Sequence, residues 1–491
     1  MQRIPLVPFG TAGFRGPMKE GLDGLNLETV LKFAQATALC LHDSPSKKFV
    51  ISYDCRHHSK EFAFAVAQVF SGNGFEVHIT DTLMPTPYLS FLCHHLDTAG
   101  GIMITASHNP SQDNGVKIYE SYGGQFLAHE KKLLECLKKA DPIKLSFENI
   151  HFVDKKNVDE YFSIIVKVLS KPFDHLRKDL KIVYSPFSGC GSTLIPEFLR
   201  RTGFTSFSLV DKQLPVDADF AGFKKPNPED PQNLYLVQEM MEDLNADLGI
   251  ATDPDADRIA FMDKKTQFTG NRIGAMVLET LLRSGKKGDV HTSFVSTNLV
   301  DAIAKKYGRK VHRYKTGFRY ISQALHENPD QFLMGFEESI GYLIVKGGSL
   351  DKDSPHMALY VSELAHELKK QKKTLTDFSQ ELDEIYGIFR EHQVSIELKE
   401  GQSGEDFVEN RVLKASLPSL ADKKVLKKGV HPEMGIVVIE LESLQILVRP
   451  SGTEPKVKFY LKLGPFKGTS LEAQSYLSLV SKQIQEIFHN S

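Results

Sequence analysis

A strand–helix–glycine–strand pattern occurs three times along this 491-residue chain, and few folds accommodate it. The first copy runs from an apolar strand at 49–54 through a helix at 60–71 and Gly74-Phe75 to a strand at 76–79. The second has a strand at 181–185, a helix near 194–201, Gly203-Phe204 and a strand at 206–210. The third has a strand at 290–295, a helix at 299–306, Gly308 and a strand at 310–314. Strands joined by helical crossovers make parallel sheets covered by helices, so three successive α/β units of one design are predicted. After each copy comes one more apolar strand with a polar loop at its end, at 105–110, 253–258 and 337–341. Strand ends are where such sheets present ligand-binding loops.

The last hundred residues change character. Strands at 392–398, 435–441, 444–448 and 457–463 alternate with helices near 404–416 and 470–488, which predicts a small α+β domain with an antiparallel sheet. A chain of this length exceeds one core, and the pattern divides it into 1–150, 151–264, 265–386 and 387–491.

Sixty Lys and Arg against 62 Asp and Glu leave a net charge of −2, which argues against nucleic acid as a partner. The five cysteines make no C-x-x-C pair and no zinc spacing, the usage of reduced thiols. No run approaches transmembrane length, and residues 1–5 lack the apolar core of a signal peptide. The expectation is a cytoplasmic enzyme with no membrane partner.

Each loop carries distinct chemistry. Thr105-Ala106-Ser107-His108-Asn109-Pro110 displays a hydroxyl at a strand end, because Asn109-Pro110 forbids a helix there. His108 adjoins it and Lys117 lies on the return strand, so Ser107 is placed as a nucleophile or phosphate carrier. Pro254 discourages helix, and in the extended loop this predicts, Asp253, Asp255 and Asp257 face the same way, so three carboxylates converge. Carboxylates in contact repel by about 4 kcal/mol per pair at an effective dielectric near 20, so the cluster calls for a cation. An all-oxygen set selects a hard one such as Mg²⁺. An EF-hand is excluded, since its sixth and twelfth positions would be Arg258 and Lys264 instead of Gly and Glu.

Phe9-Gly10-Thr11-Ala12-Gly13-Phe14-Arg15-Gly16 reads as a glycine-studded loop in which Arg15 can grip an anion. Arg449-Pro450-Ser451-Gly452-Thr453 offers a guanidinium, two hydroxyls and permissive backbone N–H groups, the makings of a phosphate nest. Glu337 and Ser339 fall on one side of an extended segment, a carboxylate and a hydroxyl suited to sugar hydroxyls. The loop Ser188-Gly189-Cys190-Gly191-Ser192 lacks a Walker lysine and reads as a strand–helix turn.

Taken in order, Gly10-Thr11-Ala12-Gly13, Thr105–Pro110, Asp253-Pro254-Asp255-Ala256-Asp257-Arg258, Gly335-Phe336-Glu337-Glu338-Ser339 and Arg449–Pro455 resemble the motifs of the α-D-phosphohexomutases, the phosphoglucomutase/phosphomannomutase enzymes. The resemblance spans nearly the whole chain. It implies three like α/β/α domains and a fourth α+β domain around a central cleft.

By the same resemblance Ser107 is the phosphoserine, and its phosphate with Asp253, Asp255 and Asp257 holds one Mg²⁺ per site. Phosphoserine would pass its phosphoryl group to a sugar monophosphate, the bisphosphate would reorient, and the other phosphate would return to Ser107. Arg258 and Arg15 would neutralise charge on the transferring group, and Lys117 or His108 would move the hydroxyl proton. Arg449, Ser451, Gly452 and Thr453 would hold the distal phosphate and Glu337 with Ser339 the sugar hydroxyls. Lys315 and Arg319 are further candidates for the same sugar or phosphate.

The Glu-Glu-Ser loop and Asp351-Lys352-Asp353 resemble the phosphoglucomutase/phosphopentomutase branch. The expected reaction is glucose 1-phosphate to glucose 6-phosphate through glucose 1,6-bisphosphate, with mannose or pentose phosphates as alternatives. The implied partners are small-molecule sugar phosphates, and the implied state is a monomer or homodimer. Rival readings are an aspartyl-phosphate-type phosphatase with Asp253 as nucleophile, and a sugar-phosphate sensor on a retired mutase. The rival phosphatase site usually continues with Thr or Val, where this chain has Asp257.

Overall fold

The computed structural model describes residues 5, 7, 10, 13–126, 129–169, 177, 179–344, 346–399, 402–451 and 456–489. The chain forms two compact units, Met1–Gly270 with Gly317–Thr376, and Asn271–Thr316 with Asp377–Ser491.

The first unit opens with β1 (Gly13–Pro17), α1 (Leu27–Cys40), β2 (Lys48–Tyr53), α2 (Ser59–Gly72), β3 (Glu76–Ile79), α3 (Thr86–His95), β4 (Gly100–Ile104), β5 (Asp113–Glu120) and β6 (Ile150–Phe152). They make one sheet in the order β1-β5-β4-β2-β3-β6. β2, β3, β4 and β6 run parallel, while β5 returns antiparallel between β4 and β1. Residues 49–53 are buried without alternation, as a strand covered on both faces requires. α1 begins at Asn26, whose side chain accepts from the Thr29 backbone N–H while Thr29 Oγ1 accepts from that of Asn26, a reciprocal cap. Stacked pairs Phe14–Phe33 and Phe49–Phe70, with centroids 3.8 and 3.6 Å apart, join these helices to the sheet.

The glycine-studded segment expected as a loop is in part a strand. Residues 13–17 pair with β5, Arg15 opposite Gly115. A Cβ at Gly13 would lie 2.0 Å from the Val116 carbonyl oxygen, so that glycine permits strand contact instead of framing an anion. Phe9, Thr11 and Ala12 of the same motif lie outside the described residues.

The second sheet repeats the plan with β7 (Ile182–Ser185), β8 (Phe207–Leu209), β9 (Leu248–Thr252) and β10 (Ile259–Met262), in the order β10-β9-β7-β8. β7 runs parallel to β8 and β9, and β10 returns antiparallel on β9 as β5 does on β4.

Phe332–Glu337 and Gly341–Leu343 form a hairpin with Glu337 opposite Gly341. Residues 338–340 are therefore a reversal, with Ile340 at φ +52°, and not the extended segment expected from alternation. Once the chain reverses, a two-residue spacing no longer puts Glu337 and Ser339 on one side. Ser339 sits half-buried within the turn, while Glu337 is buried at the strand end.

In the second unit Asp289–Ser293 and Val311–Tyr314 pair in parallel. Ile388–Glu397, Lys456–Phe466, Leu444–Pro450, Val437–Leu441 and Lys427–Val430 form an antiparallel sheet in that order. The helix Ser470–His489 packs Ala473, Leu477, Val480 and Ile484 into its core. Lys427–Val430 escapes the sequence reading because it is an edge strand, where lysines guard against further pairing. Among the described residues no helix is long and apolar enough to cross a membrane.

Candidate active site

β4 and β9 both run parallel to β2 or β7 and deliver their polar loops at their carboxyl ends. After β4 the chain turns through Ser107 at φ +55°, with its N–H donated to Thr105 Oγ1 at 2.8 Å. Ser107 is buried, and its Oγ donates to Asp253 Oδ2 at 2.8 Å and lies 3.2 Å from His108 Nδ1.

The aspartates converge by a different route from the one expected. Residues 253–257 are a turn closed by Ala256 N–H donating to Asp253 O, with Ala256 at φ +49°, and not an extended loop. The turn still brings a ligand oxygen from each of Asp253, Asp255 and Asp257 within 4.8 Å of the others. All three are buried, at 2% exposure or less.

Cations from elsewhere in the fold offset them. Lys117 on β5 donates from Nζ to Asp255 Oδ2 at 2.5 Å and Asp257 Oδ2 at 2.9 Å. Lys352 Nζ lies 3.2 Å from Asp257 Oδ2 and 3.1 Å from Asp351 Oδ1. Thr86, first residue of α3, donates its hydroxyl to Asp255 Oδ2 at 2.7 Å and its N–H to Asp255 O. Arg258 donates its backbone N–H to Asp253 Oδ1 at 3.0 Å and its guanidinium to Glu229 at 3.2 Å. Arg15, half-buried on β1, interacts electrostatically with Asp255 and Asp257.

These surroundings separate the three carboxyls. Burial, then Asp255 and Asp257, push the Asp253 carboxyl well above the usual range. Burial also pushes Asp255 and Asp257 upward, but Lys117 acting on both, with Lys352 and Arg258 on Asp257, outweighs it and holds both low. Asp255 Oδ1 and Asp257 Oδ1 are buried without a hydrogen-bond partner. Orphan carboxylate oxygens beside a third carboxylate fit a hard divalent cation. His108 is held well below its ordinary pKa by burial and then by Arg258 and Arg15, so its imidazole is neutral.

Glu337 Oε1 accepts the Gly317 N–H at 2.7 Å, and burial followed by Glu338 raises its carboxyl to about 7. Arg319 is engaged with Glu130 at 3.2 Å. In the second unit Lys315 is exposed just past the strand Val311–Tyr314. There too Arg449 donates to Tyr460 Oη at 3.2 Å, and Ser451 N–H donates to Lys456 O. Gly452 and Thr453 lie outside the described residues.

Sequence profiles described as phosphoglucomutase/phosphomannomutase, alpha/beta/alpha domains I, II and III match residues 7–144, 159–268 and 269–386. The chain belongs to the phosphoglucomutase/phosphomannomutase family. A phosphoglucomutase of Staphylococcus haemolyticus is 33% identical over 96% of this chain and 93% of its own length. A phosphomannomutase of Mycoplasma genitalium is 31% identical over 98% and 91%. The crystal structure of Paramecium parafusin, a phosphoglucomutase in an open form, superposes with a TM-score of 0.76 at 18% identity, covering 100% of this chain and 97% of that one. The fold class is thus three α/β/α domains followed by a C-terminal domain with an antiparallel sheet, and the protein is a phosphohexomutase enzyme.

Lys352 and Thr86 escape the sequence reading of the site. Asp351-Lys352-Asp353 is visible as a charged triplet, but nothing in its spacing says that Lys352 meets an aspartate 95 positions earlier. Thr86 carries no signal beyond opening a helix after Pro85.

Proposed function

We propose that this family member interconverts glucose 1-phosphate and glucose 6-phosphate in the cytoplasm, with Ser107 as the phosphoryl carrier and glucose 1,6-bisphosphate as the intermediate. The observation that carries this reading is the 2.8 Å contact of Ser107 Oγ with one of three convergent buried carboxylates. A phosphoryl group on that oxygen has cation-binding oxygens beside it, and the charges of Arg258 and Arg15 act on the adjoining His108.

Transfer breaks the bond between phosphorus and Ser107 Oγ and forms one to a sugar oxygen. The sugar hydroxyl gives up a proton and Ser107 Oγ takes one up in the same transfer, and the return transfer moves both protons the other way. His108, neutral and 3.2 Å from Oγ, and Lys117 are the two groups for that proton. Asp253, Asp255 and Asp257, with the phosphoserine, would hold Mg²⁺, which supplies Lewis-acid neutralisation of phosphoryl charge when bound. Glu337 and Ser339 are assigned to the sugar hydroxyls and the loop with Arg449, Ser451, Gly452 and Thr453 to the distal phosphate, with Lys315 and Arg319 as further candidates for the same sugar or phosphate. These loops fall one to each of four proposed domains, 1–150, 151–264, 265–386 and 387–491.

A coupled assay comparing glucose, mannose, glucosamine and pentose 1-phosphates tests the reading, run with a trace of glucose 1,6-bisphosphate. Glucose 1-phosphate is expected to turn over fastest, activity to vanish on chelation, and Mg²⁺ to restore it. Faster turnover of mannose or pentose phosphate would move the assignment to that alternative, and turnover in full chelation would remove the metal from it.

Glu337 supplies a pH signature. Its carboxyl titrates near 7, and only the ionised form accepts from sugar hydroxyls without offering a proton. KM for glucose 1-phosphate is expected to rise as pH falls from 8 to 6. In Glu337→Gln it is expected to be high and flat once the titration of the substrate phosphate, common to both proteins, is divided out. A parallel profile in the variant would contradict the role.

A further inference from the structure

We propose that Arg56 is a positioning residue for phosphoryl transfer, fixing Ser107 in its reactive geometry by gathering the carbonyl oxygens of the serine loop onto one guanidinium. The proposal rests on the reading of Ser107 as phosphoryl carrier. Arg56 follows β2, is 3% exposed, and is 51 residues from Ser107 in sequence. Its Nη1 donates to Pro110 O at 2.7 Å and Asp113 O at 2.9 Å. Its Nη2 donates to Ser107 O at 2.5 Å and Asn109 O at 2.7 Å. Nε lies 3.2 Å from Asp54 Oδ2 as an ion pair, both atoms buried, and the two Nη atoms are engaged by the four loop carbonyls.

The guanidinium is itself held by a carboxylate and an aromatic ring. Asp54 Oδ1 accepts the Arg56 backbone N–H at 3.0 Å and the Ser59 hydroxyl at 2.7 Å, which fixes the carboxylate that faces Nε. The Phe220 ring lies 4.8 Å from the guanidinium carbon.

What it clamps is a loop that would not hold its shape unaided. Ser107 has φ +55°, a left-handed conformation that a β-carbon disfavours and that persists only where the surroundings over-determine it. Four carbonyls drawn to one buried cation are that over-determination. A carbonyl oxygen turned onto Arg56 is also not turned toward a phosphoryl oxygen, which it would repel. Lysine presents three donors from one point and cannot reproduce a planar fork that serves four carbonyls.

The test uses the full chain with Arg56→Lys and Asp54→Asn. The readouts are kcat and KM for glucose 1-phosphate, labelling of Ser107 from ³²P-glucose 1,6-bisphosphate, and the ³¹P NMR shift of the phosphoserine. Arg56→Lys is expected to lower kcat by about 100-fold with KM within twofold, as for a misplaced reacting group. Its phosphoserine resonance is expected to be shifted and broadened. Asp54→Asn keeps every carbonyl contact but loosens the guanidinium's anchor, and is expected to lose about tenfold in kcat at unchanged KM. A kcat within threefold of wild type in either folded variant, with wild-type protein labelled on Ser107, overturns the positioning role alone. Failure of wild-type protein to label on Ser107 overturns the carrier reading and this proposal with it.

Discussion

Ser107→Ala is expected to lose turnover by roughly 10⁴-fold or more, the scale seen when a nucleophile that acts with its neighbours as a unit is removed. The loss has a covalent origin, because without Oγ there is no atom to carry the phosphoryl group between the two sugar positions. Stability is expected to change little. Oγ contributes hydrogen bonds with Asp253 and His108, worth about 0.5–1.5 kcal/mol each, and at its φ of +55° alanine meets the same backbone strain as serine. The aspartates stay in place, so Mg²⁺ should still raise the melting temperature of the variant. Steady-state kinetics and thermal melts with and without Mg²⁺ check this, and near-wild-type turnover would overturn the carrier role.

Lys117→Met should damage both fold and activity. Lys117 is 1% exposed and its ammonium meets two carboxylates whose burial alone would push them upward. Methionine fills a similar volume but leaves those charges uncompensated, and breaking a buried pair in this way costs about 3–5 kcal/mol. The pH dependence has a definite sign. With Lys117 present the Asp255 and Asp257 carboxyls titrate below their unfolded value, so their contribution is complete above that value and is lost as pH falls through the folded one. In the variant both carboxyls rise, the folded state takes up protons first, and the deficit relative to wild type should shrink from pH 8 to pH 5. Mg²⁺ should restore part of the stability at pH 8, since it meets the same carboxylates. Denaturant titrations at both pH values, with and without Mg²⁺, check this, and a deficit that grows in acid would contradict it.

The parts of this molecule legible in its sequence are those set by local pattern. Continuous apolar runs such as 49–53 and 248–252 announce strands covered on both faces, and the glycine before each second strand marks where a helix must stop. Three carboxylates in five residues announce a demand for positive charge whatever their backbone does, which is why an incorrect loop shape at 253–257 still leads to a convergent cluster.

What cannot be read locally is what meets across the fold. Gly13 and Arg15 look like a loop because glycine is the signature of a turn, yet here it serves strand contact with residues 115–117. Glu337 and Ser339 are separated by a reversal that alternation does not anticipate. Lys352 and Arg56 are single cations in polar segments, and only the approach of residues 257 and 107–113 gives them work.

The decisive measurement is to incubate the protein with ³²P-glucose 1,6-bisphosphate, digest it and locate the label. The mutase reading predicts one acid-stable phosphoester in the peptide containing Ser107, discharged by added glucose 1-phosphate. A base-labile acyl phosphate on Asp253 with Ser107 unlabelled would contradict it and leave the aspartyl-phosphate chemistry in its place.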